Sequence, residues 1–503
     1  MCSKRLGILN RARNRLDALL IKRDQKGRPL AIGHRGASYY AAENSSGAFR
    51  LAADLGAEAV ELDIQLSADG VCVVSHDDSV TLDDGRGLSI AKSQWSELRT
   101  VTISNGRTIL SLDETIDIAL ERNLALYIES KTFGAGKAIW ATLKRRDFES
   151  AVIGSFDVAM IKELRESGCD YPLSILVPAG AQPLKCASDS GADIVHLCWK
   201  RATLCPQELI LVNTIQIFKE QGLEVILWNE ERADLIADLV QLPVLGICSD
   251  RPEMLQHRLT AAPATVWHRG ANKIVPENTV IAAKIAFGLG ADYVEVDVRT
   301  TADNEQVILH DSTFDRTTND HGAVAKRTLL SIQTVDVGIG FDEAFAFTAL
   351  PTLQNMLDCA RRNNGGLYIK LKVADARQVV QQVRGEGIIE KCFFWSQHPE
   401  TLSELQSCGD NVRLMIRHQD YPDFEQALKE YRPSIVEFEG HRINHRDLES
   451  CRRAGCQYMA FIGDAKWKSF QAATASGADL INGDFSIPML EYLWAKDSGV
   501  AVA

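Results

Sequence analysis

Long apolar runs are missing from this 503-residue chain. No stretch approaches the roughly 20 residues needed to span a bilayer, so no transmembrane helix is expected. A basic balance is missing too: the formal net charge is −12, and a nucleic acid partner needs a basic face that this composition does not advertise. Neither half opens on Gly-x-Gly-x-x-Gly, so a dinucleotide site has no support. There is no Cys-x-x-Cys pair among the 12 cysteines and no low-complexity segment. The first residues mix Lys4, Arg5, Arg11, Arg13 and Arg15 with Leu6, Ile8, Leu9, Leu16, Leu19, Leu20 and Ile21, without the unbroken apolar core or small-residue cleavage site of a secretory signal. What remains is an ordinary globular composition, 46% hydrophobic and 24% charged.

What is present is a duplication. His34-Arg35-Gly36, Glu61, Asp63, His76 and Asp77 return as His268-Arg269-Gly270, Glu295, Asp297, His310 and Asp311, each 234 residues later (268 − 34, 311 − 77). Glu43-Asn44-Ser45 likewise returns as Glu277-Asn278-Thr279. A constant offset over separated polar positions marks a tandem repeat of one domain. Cys72, Cys169, Cys186, Cys198, Cys205 and Cys248 of the first half do not recur in the second. A disulfide framework would have been duplicated with the domain, so free thiols in a reducing, cytoplasmic compartment are expected.

From Pro29 onward short apolar runs alternate with helical patterns. Leu30–Gly33, Ala59–Ile64, Val71–Ser75, Leu124–Glu129, Ala151–Ser155, Leu223–Trp228 and Val244–Ser249 read as strands, and Ser46–Leu55 reads as a helix. Strand and helix alternating over about 240 residues argue for a closed parallel barrel, hence an α/β chain of two tandem TIM (β/α)8 barrels. The expected boundaries are 29–258 and 264–503, with a hinge near 256–264 that contains Ala261-Ala262-Pro263-Ala264. The first unit closes at Gly246 to Pro252, echoed at Leu480 to Asp484, and Asp250 and Asp484 keep the offset of 234 (484 − 250). Residues 1–28 read as a basic amphipathic helix with Leu9, Ala12, Leu16, Leu19 and Leu20 on one stripe. Packing on the first barrel is the plain expectation. Peripheral attachment to a membrane surface or to a partner is the alternative.

Glu61 and Asp63, two apart on one strand, project from the same face. Close carboxylates repel unless a cation lies between them, and hard oxygen donors favour Mg2+ or Ca2+. Glu129 ends a further strand and would complete a facial set. His34 and His76 follow strands, and parallel strand ends meet at one barrel mouth, so the pair would supply a general base and a general acid. Asp77 either caps a turn or orients the His76 ring. Arg35 either pairs with Glu43 or binds phosphate.

His34-Arg35-Gly36, Glu43-Asn44-Ser45, Val60-Glu61-Leu62-Asp63, His76-Asp77, Tyr127-Ile128-Glu129-Ser130-Lys131, Ser155-Phe156-Asp157, Trp228-Asn229 and Ser249-Asp250-Arg251-Pro252 resemble, in order, the glycerophosphodiester phosphodiesterases. The resemblance implies a metal-dependent TIM barrel that hydrolyses glycerophosphodiesters to an alcohol and glycerol 3-phosphate. It implies that Glu61, Asp63 and Glu129 hold one divalent metal per chain, Mg2+ or Ca2+, and that His34 and His76 are catalytic. It further implies that Arg35 and Lys131 hold the phosphate and that Trp228 packs on the glycerol end. A lysophospholipase D acting on lysophospholipids, or a non-catalytic phosphodiester-binding scaffold, is the competing function.

The second half departs from that pattern. Tyr368-Ile369-Lys370-Leu371-Lys372 aligns with Tyr127 to Lys131 and puts Lys370 where the third carboxylate belongs, beside Glu295 and Asp297. Met459 to Gly463 offers no counterpart to Trp228-Asn229. His268, Arg269, Glu295, Asp297, His310, Lys370 and Lys372 are therefore read as a degenerate site. The first half lacks the Asp315-Arg316-Thr317-Thr318 loop, reading Val80 to Arg86 instead, and has Gln65 where the second has Arg299.

Overall fold

The computed structural model describes residues 2–82, 85–103, 107–198, 212–256, 263–440 and 445–497. Most of the expected hinge, Asp83, Asp84 and Cys205 lie outside them. The chain divides into two compact units, Met1–Gln256 and His257–Ala503.

In the first unit β1 (Leu30–His34) pairs in parallel with β2 (Ala59–Leu66), and β3 (Cys72–Val74) turns back antiparallel on the end of β2. The expected Val71–Ser75 strand is thus real but is not a barrel strand. Asp69-Gly70, with Gly70 at φ +79°, reverses the chain within a turn, far short of the dozen residues a parallel crossover needs. The barrel continues through β4 (Ala125–Ser130), β5 (Ala151–Ser155), β6 (Leu173–Val177), β7 (Ile194–Cys198), β8 (Glu224–Trp228) and β9 (Gly246–Ser249). Pairing of β9 with β1 closes the eight parallel strands. Strands β6 and β7 escape the sequence reading. Short apolar runs such as these carry no periodicity that separates strand from helix.

The N-terminal helix, Cys2–Lys26, closes the floor of this barrel. Leu16 and Leu19 join Leu30, Ala59, Ala125, Ile194 and Leu245, residues at the starts of the strands, in one buried cluster. Arg11 Nε lies 3.1 Å from Asp170, and Arg15 donates to the Asp170 carbonyl and stacks 4.2 Å over Tyr171. The Ala12, Leu16 and Leu19 stripe is therefore consumed by the barrel. No helix among the described residues is long and apolar enough to cross a membrane.

The second unit repeats the plan with β10 (Ala264–Trp267), β11 (Tyr293–Thr300), an antiparallel β12 (Gln306–Ile308), β13 (Gly366–Val373), β14 (Cys392–Ser396), β15 (Met415–Arg417), β16 (Ile435–Glu439), β17 (Gln457–Ile462) and β18 (Leu480–Gly483). Its eight parallel strands close everywhere except between β14 and β15, which share only the Phe394–Leu414 bridge. Cys72, Cys169, Cys186, Cys198, Cys248, Cys359, Cys392, Cys408, Cys451 and Cys456 are free thiols.

Leu16 is 1% exposed, so Leu16→Ala is expected to cost the first barrel about 3 kcal/mol through lost burial and a residual cavity. Urea denaturation checks this. A change below about 0.5 kcal/mol, the scale of an ordinary surface substitution, would show that the helix does not form the barrel floor.

Candidate active site

The recurring polar residues gather at the C-terminal mouth of each barrel because strand register puts them there. Pairing of β1 with β2 sets His34 beside Glu61, and pairing of β2 with β4 sets Asp63 beside Glu129. Glu61, Asp63 and Glu129 are all buried, with ligand atoms within 4.8 Å of one another. Burial, then the charges of Asp63 and Glu129, push the Glu61 carboxyl well above its ordinary value. Burial also raises Glu129, although Lys131 opposes it. Burial acts against Asp63 as well, but Lys131 and Arg35 outweigh it and hold that carboxyl low. Lys131 Nζ is 3.1 Å from Asp63 and 2.9 Å from Glu129, and Arg35 Nε is 3.1 Å from Asp63. Three oxygen donors, buried together and only partly compensated by two side-chain cations, fit a hard divalent cation.

The loops fix these groups by local chemistry. In the Glu-Asn-Ser motif, Glu43 accepts from Arg35 at 2.9 and 3.0 Å, Asn44 adopts φ +55° and donates to Asp63 at 2.9 Å, and Ser45 caps the helix Ser46–Asp54 by accepting from the Ala48 amide. Gly36 stands at φ +88°, and a Cβ there would come within 2.6 Å of the Ala48 backbone. The loop between His34 and the helix therefore admits only glycine at this point.

Both histidines are oriented by carboxylates. His34 donates from Nδ1 to Asp250 at 2.5 Å, and Asp250 also accepts from Ser38 at 3.1 Å. A carboxylate only accepts, so Nδ1 of His34 carries a proton, and Nε2 lies 3.9 Å from Glu61. His76 donates from Nδ1 to Asp77 at 2.7 Å, which gives Asp77 the orienting role. Trp228 packs edge-on against His34 with ring centroids 5.5 Å apart. All eight residues proposed for the first site thus share one mouth, and its Arg35 both pairs with Glu43 and faces the carboxylates.

Two residues were missed by sequence reasoning. Asp250 was visible only as part of the repeat's closing text. His196, on β7, lies in the barrel interior 4.8 Å from Tyr127, and burial, with a smaller push from His34, lowers its pKa to about 3. No local signal marks it, because β7 itself was not legible.

The second mouth keeps the arrangement and changes its charges. His268 donates to Asp484 and His310 to Asp311, while Arg269 reaches Glu277 at 3.0 Å and Asp297 at 3.4 Å. Register sets Lys370 beside Asp297 as Glu129 is set beside Asp63, and Lys370 Nζ lies 2.9 Å from Glu295. Lys372 Nζ is 3.3 Å from Asp297. Burial lowers the Lys370 ammonium, but Glu295, Glu437 and Asp297 outweigh it and hold it above its ordinary value. Among the described residues only the first mouth forms a cluster of three metal-ligand side chains.

Two expected differences between the halves are smaller than the sequence suggests. Phe461 pairs in register with Asn482 as Trp228 does with Cys248, and it meets His268 edge-on at 5.9 Å. An aromatic counterpart to Trp228 therefore exists, one position off the constant offset. Gln65 donates to the His76 carbonyl at 3.1 Å and Arg299 to the His310 carbonyl at 2.6 Å, so the substitution keeps its contact. The loop difference is real: Arg316 ties Asp311 to Glu277 at 2.5 and 2.6 Å, and the residue at the repeat-equivalent position of the first half is Leu82.

A cluster of carboxylates with Arg35, Lys131 and two carboxylate-held histidines at a parallel barrel's mouth is the arrangement of a phosphoric diester hydrolase. The chain belongs to the glycerophosphoryl diester phosphodiesterase family, whose profile matches residues 34–254 and 268–393. It is 50% identical over 227 residues to the glycerophosphodiester phosphodiesterase of Caldanaerobacter subterraneus subsp. tengcongensis, a match covering 44% of this chain and 93% of that protein. Among solved structures it is similar to the glycerophosphodiester phosphodiesterase of Agrobacterium tumefaciens, at 34% identity and TM-score 0.44, covering 46% of this chain and 99% of that one. It is also similar to an Oleispira antarctica phosphodiesterase in complex with sn-glycerol-3-phosphate, at 20% identity and TM-score 0.42, covering 46% and 96% respectively.

Gly36→Ala is expected to cost about 2 kcal/mol, from its positive φ and the backbone clash, and to lower activity by displacing His34 and Arg35. Urea denaturation and steady-state assays read both effects. Wild-type values in both would mean that the loop tolerates a side chain.

Proposed function

We propose that the first barrel hydrolyses glycerophosphodiesters to an alcohol and glycerol 3-phosphate with the help of a divalent cation, Mg2+ or Ca2+, held by Glu61, Asp63 and Glu129. The observation that carries this reading is the buried carboxylate trio, flanked at one mouth by Lys131, Arg35 and two oriented histidines. When bound, such a cation neutralises the phosphodiester oxygens and favours attack at phosphorus. The guanidinium of Arg35 and the ammonium of Lys131 bind the same anionic centre.

Trp228 supplies an apolar wall beside His34 and so places the glycerol end there. His34, with Nε2 unprotonated and Asp250 able to stabilise the imidazolium, takes the proton from the attacking oxygen. His76, protonated at the start of the cycle, donates its own proton to the departing alkoxide as the P–O bond to the alcohol breaks, and it is reprotonated from water while His34 releases the proton it took. A cavity of about 190 Å³ beside His76, lined by Glu43, Asn44, Val80 and Ile109 among others, is placed to receive that alcohol. The consumption of the N-terminal apolar stripe by the barrel floor leaves the lysophospholipid reading without a specific observation in its favour.

Glu129→Ala is expected to abolish metal-dependent release of glycerol 3-phosphate without unfolding the barrel, because it removes one of three ligands and no apolar core contact. Undiminished turnover at subsaturating metal would sink the metal assignment. His34→Ala and His76→Ala should each lower kcat by on the order of 10²-fold. Near-normal rates in either would remove that residue from the mechanism.

The second barrel is proposed to be degenerate. Replacing His268 and His310 together by Ala is accordingly expected to leave hydrolysis within about twofold of wild type. A large rate loss would show that both mouths turn over substrate.

A further inference from the structure

The two mouths solve one electrostatic problem in opposite ways. In the first, three carboxylates (Glu61, Asp63, Glu129) face two side-chain cations (Arg35, Lys131), so the cup is short of positive charge until a divalent cation enters. In the second, two carboxylates (Glu295, Asp297) face three cations (Arg269, Lys370, Lys372). Its charge without any metal matches that of the first cup with one bound. The exchange is continued below: register places Glu437 where the first barrel has His196, since each pairs through its neighbour strand to the same point of the closing strand. Glu437 accepts from Asn482 at 2.9 Å and lies within electrostatic reach of both Lys370 and Arg417. Trp395 stands at the position of Gly154, walled by Lys370, Lys372 and Arg417 at 5.5, 5.9 and 4.8 Å from its ring.

We propose that the mouth of the second barrel is a metal-independent binding site for phosphate esters, in which the Lys370 ammonium takes the place of the divalent cation. The proposal rests on the reading that the first mouth holds such a cation. Lys370 is buried, and its Nζ lies 2.9 Å from Glu295, the counterpart of the proposed ligand Glu61. Lys372 and Arg269 correspond to Lys131 and Arg35, the residues proposed to bind phosphate in the first mouth, and each keeps the same aspartate partner. Phe461 preserves an aromatic wall beside His268. An ammonium supplies charge but no vacant coordination position, so it favours holding a phosphate ester over cleaving it. The ligand class is that of the first barrel's substrate and product.

Equilibrium binding of glycerol 3-phosphate to the full chain in excess EDTA tests this, with inorganic phosphate as a second probe. One EDTA-resistant site per chain is expected, with glycerol 3-phosphate bound at least as tightly as inorganic phosphate. The site should persist in Lys131→Gln, weaken by at least about tenfold in Lys372→Gln and recover in Lys372→Arg, which keeps the charge. Lys370→Glu provides an independent arm. It should abolish binding in EDTA and raise Mn2+ stoichiometry from about one to about two per chain, because it restores three carboxylates. The proposal is overturned if wild type shows no EDTA-resistant site, if that site takes only inorganic phosphate, or if it disappears with Lys131→Gln. It is equally overturned if Lys370→Glu leaves binding in EDTA unchanged. Metal-dependent hydrolysis, assayed alongside, reports on the first barrel alone, so the two readings fail separately.

Discussion

Three carboxylates forced together in a buried barrel mouth set the terms for everything around them. Repulsion between such groups grows as water is excluded, and burial alone already disfavours their charged forms. The Glu61 carboxyl shows the consequence, held well above its ordinary value by burial and by Asp63 and Glu129. Much of the first mouth counters this strain: Lys131 bridges Asp63 and Glu129, Arg35 reaches Asp63, and Asn44 donates to Asp63. The same residual negative charge suits the site to a hard cation.

The second barrel meets the identical constraint with covalent charge. Lys370, at the register position of Glu129, cancels Glu295 permanently, and the histidines, arginine and second lysine are retained around it. This change of sign at one register position is what the proposed metal-independent reading of the second mouth rests on. The accompanying exchange of His196 for Glu437 keeps the interior balanced, because a buried ammonium without carboxylates around it would be costly. Arg316, whose repeat-equivalent position in the first half is Leu82, adds a further tie between Asp311 and Glu277.

Rigid placement depends on the barrel more than on the loops. His34 and Asp250 are 216 residues apart in sequence and meet because β9 closes against β1. The N-terminal helix seals the opposite end of that barrel with Leu16 and Leu19, so the strands that present the site are packed from below as well as side by side. Arg11 and Arg15, which looked available for an acidic surface, are spent on Asp170 and Tyr171.

The linear text alone determined the duplication, the barrel class, the carboxylate and histidine set and the odd lysine at position 370. These follow from a constant offset and from alternation along single strands, both of which are properties of neighbouring residues. It missed β6 and β7, did not show that the Val71–Ser75 strand turns back outside the barrel, and left Trp228 without a counterpart, because short apolar runs have no period and a one-residue shift between repeats leaves no trace in spacing. Only the closed tertiary structure decided that Asp250 and Asp484 hold the histidines, that Glu437 answers His196, that Phe461 answers Trp228, and that the N-terminal stripe forms a floor. Each of those depends on which strands become neighbours when the barrel closes, a contact between distant segments that no local pattern encodes.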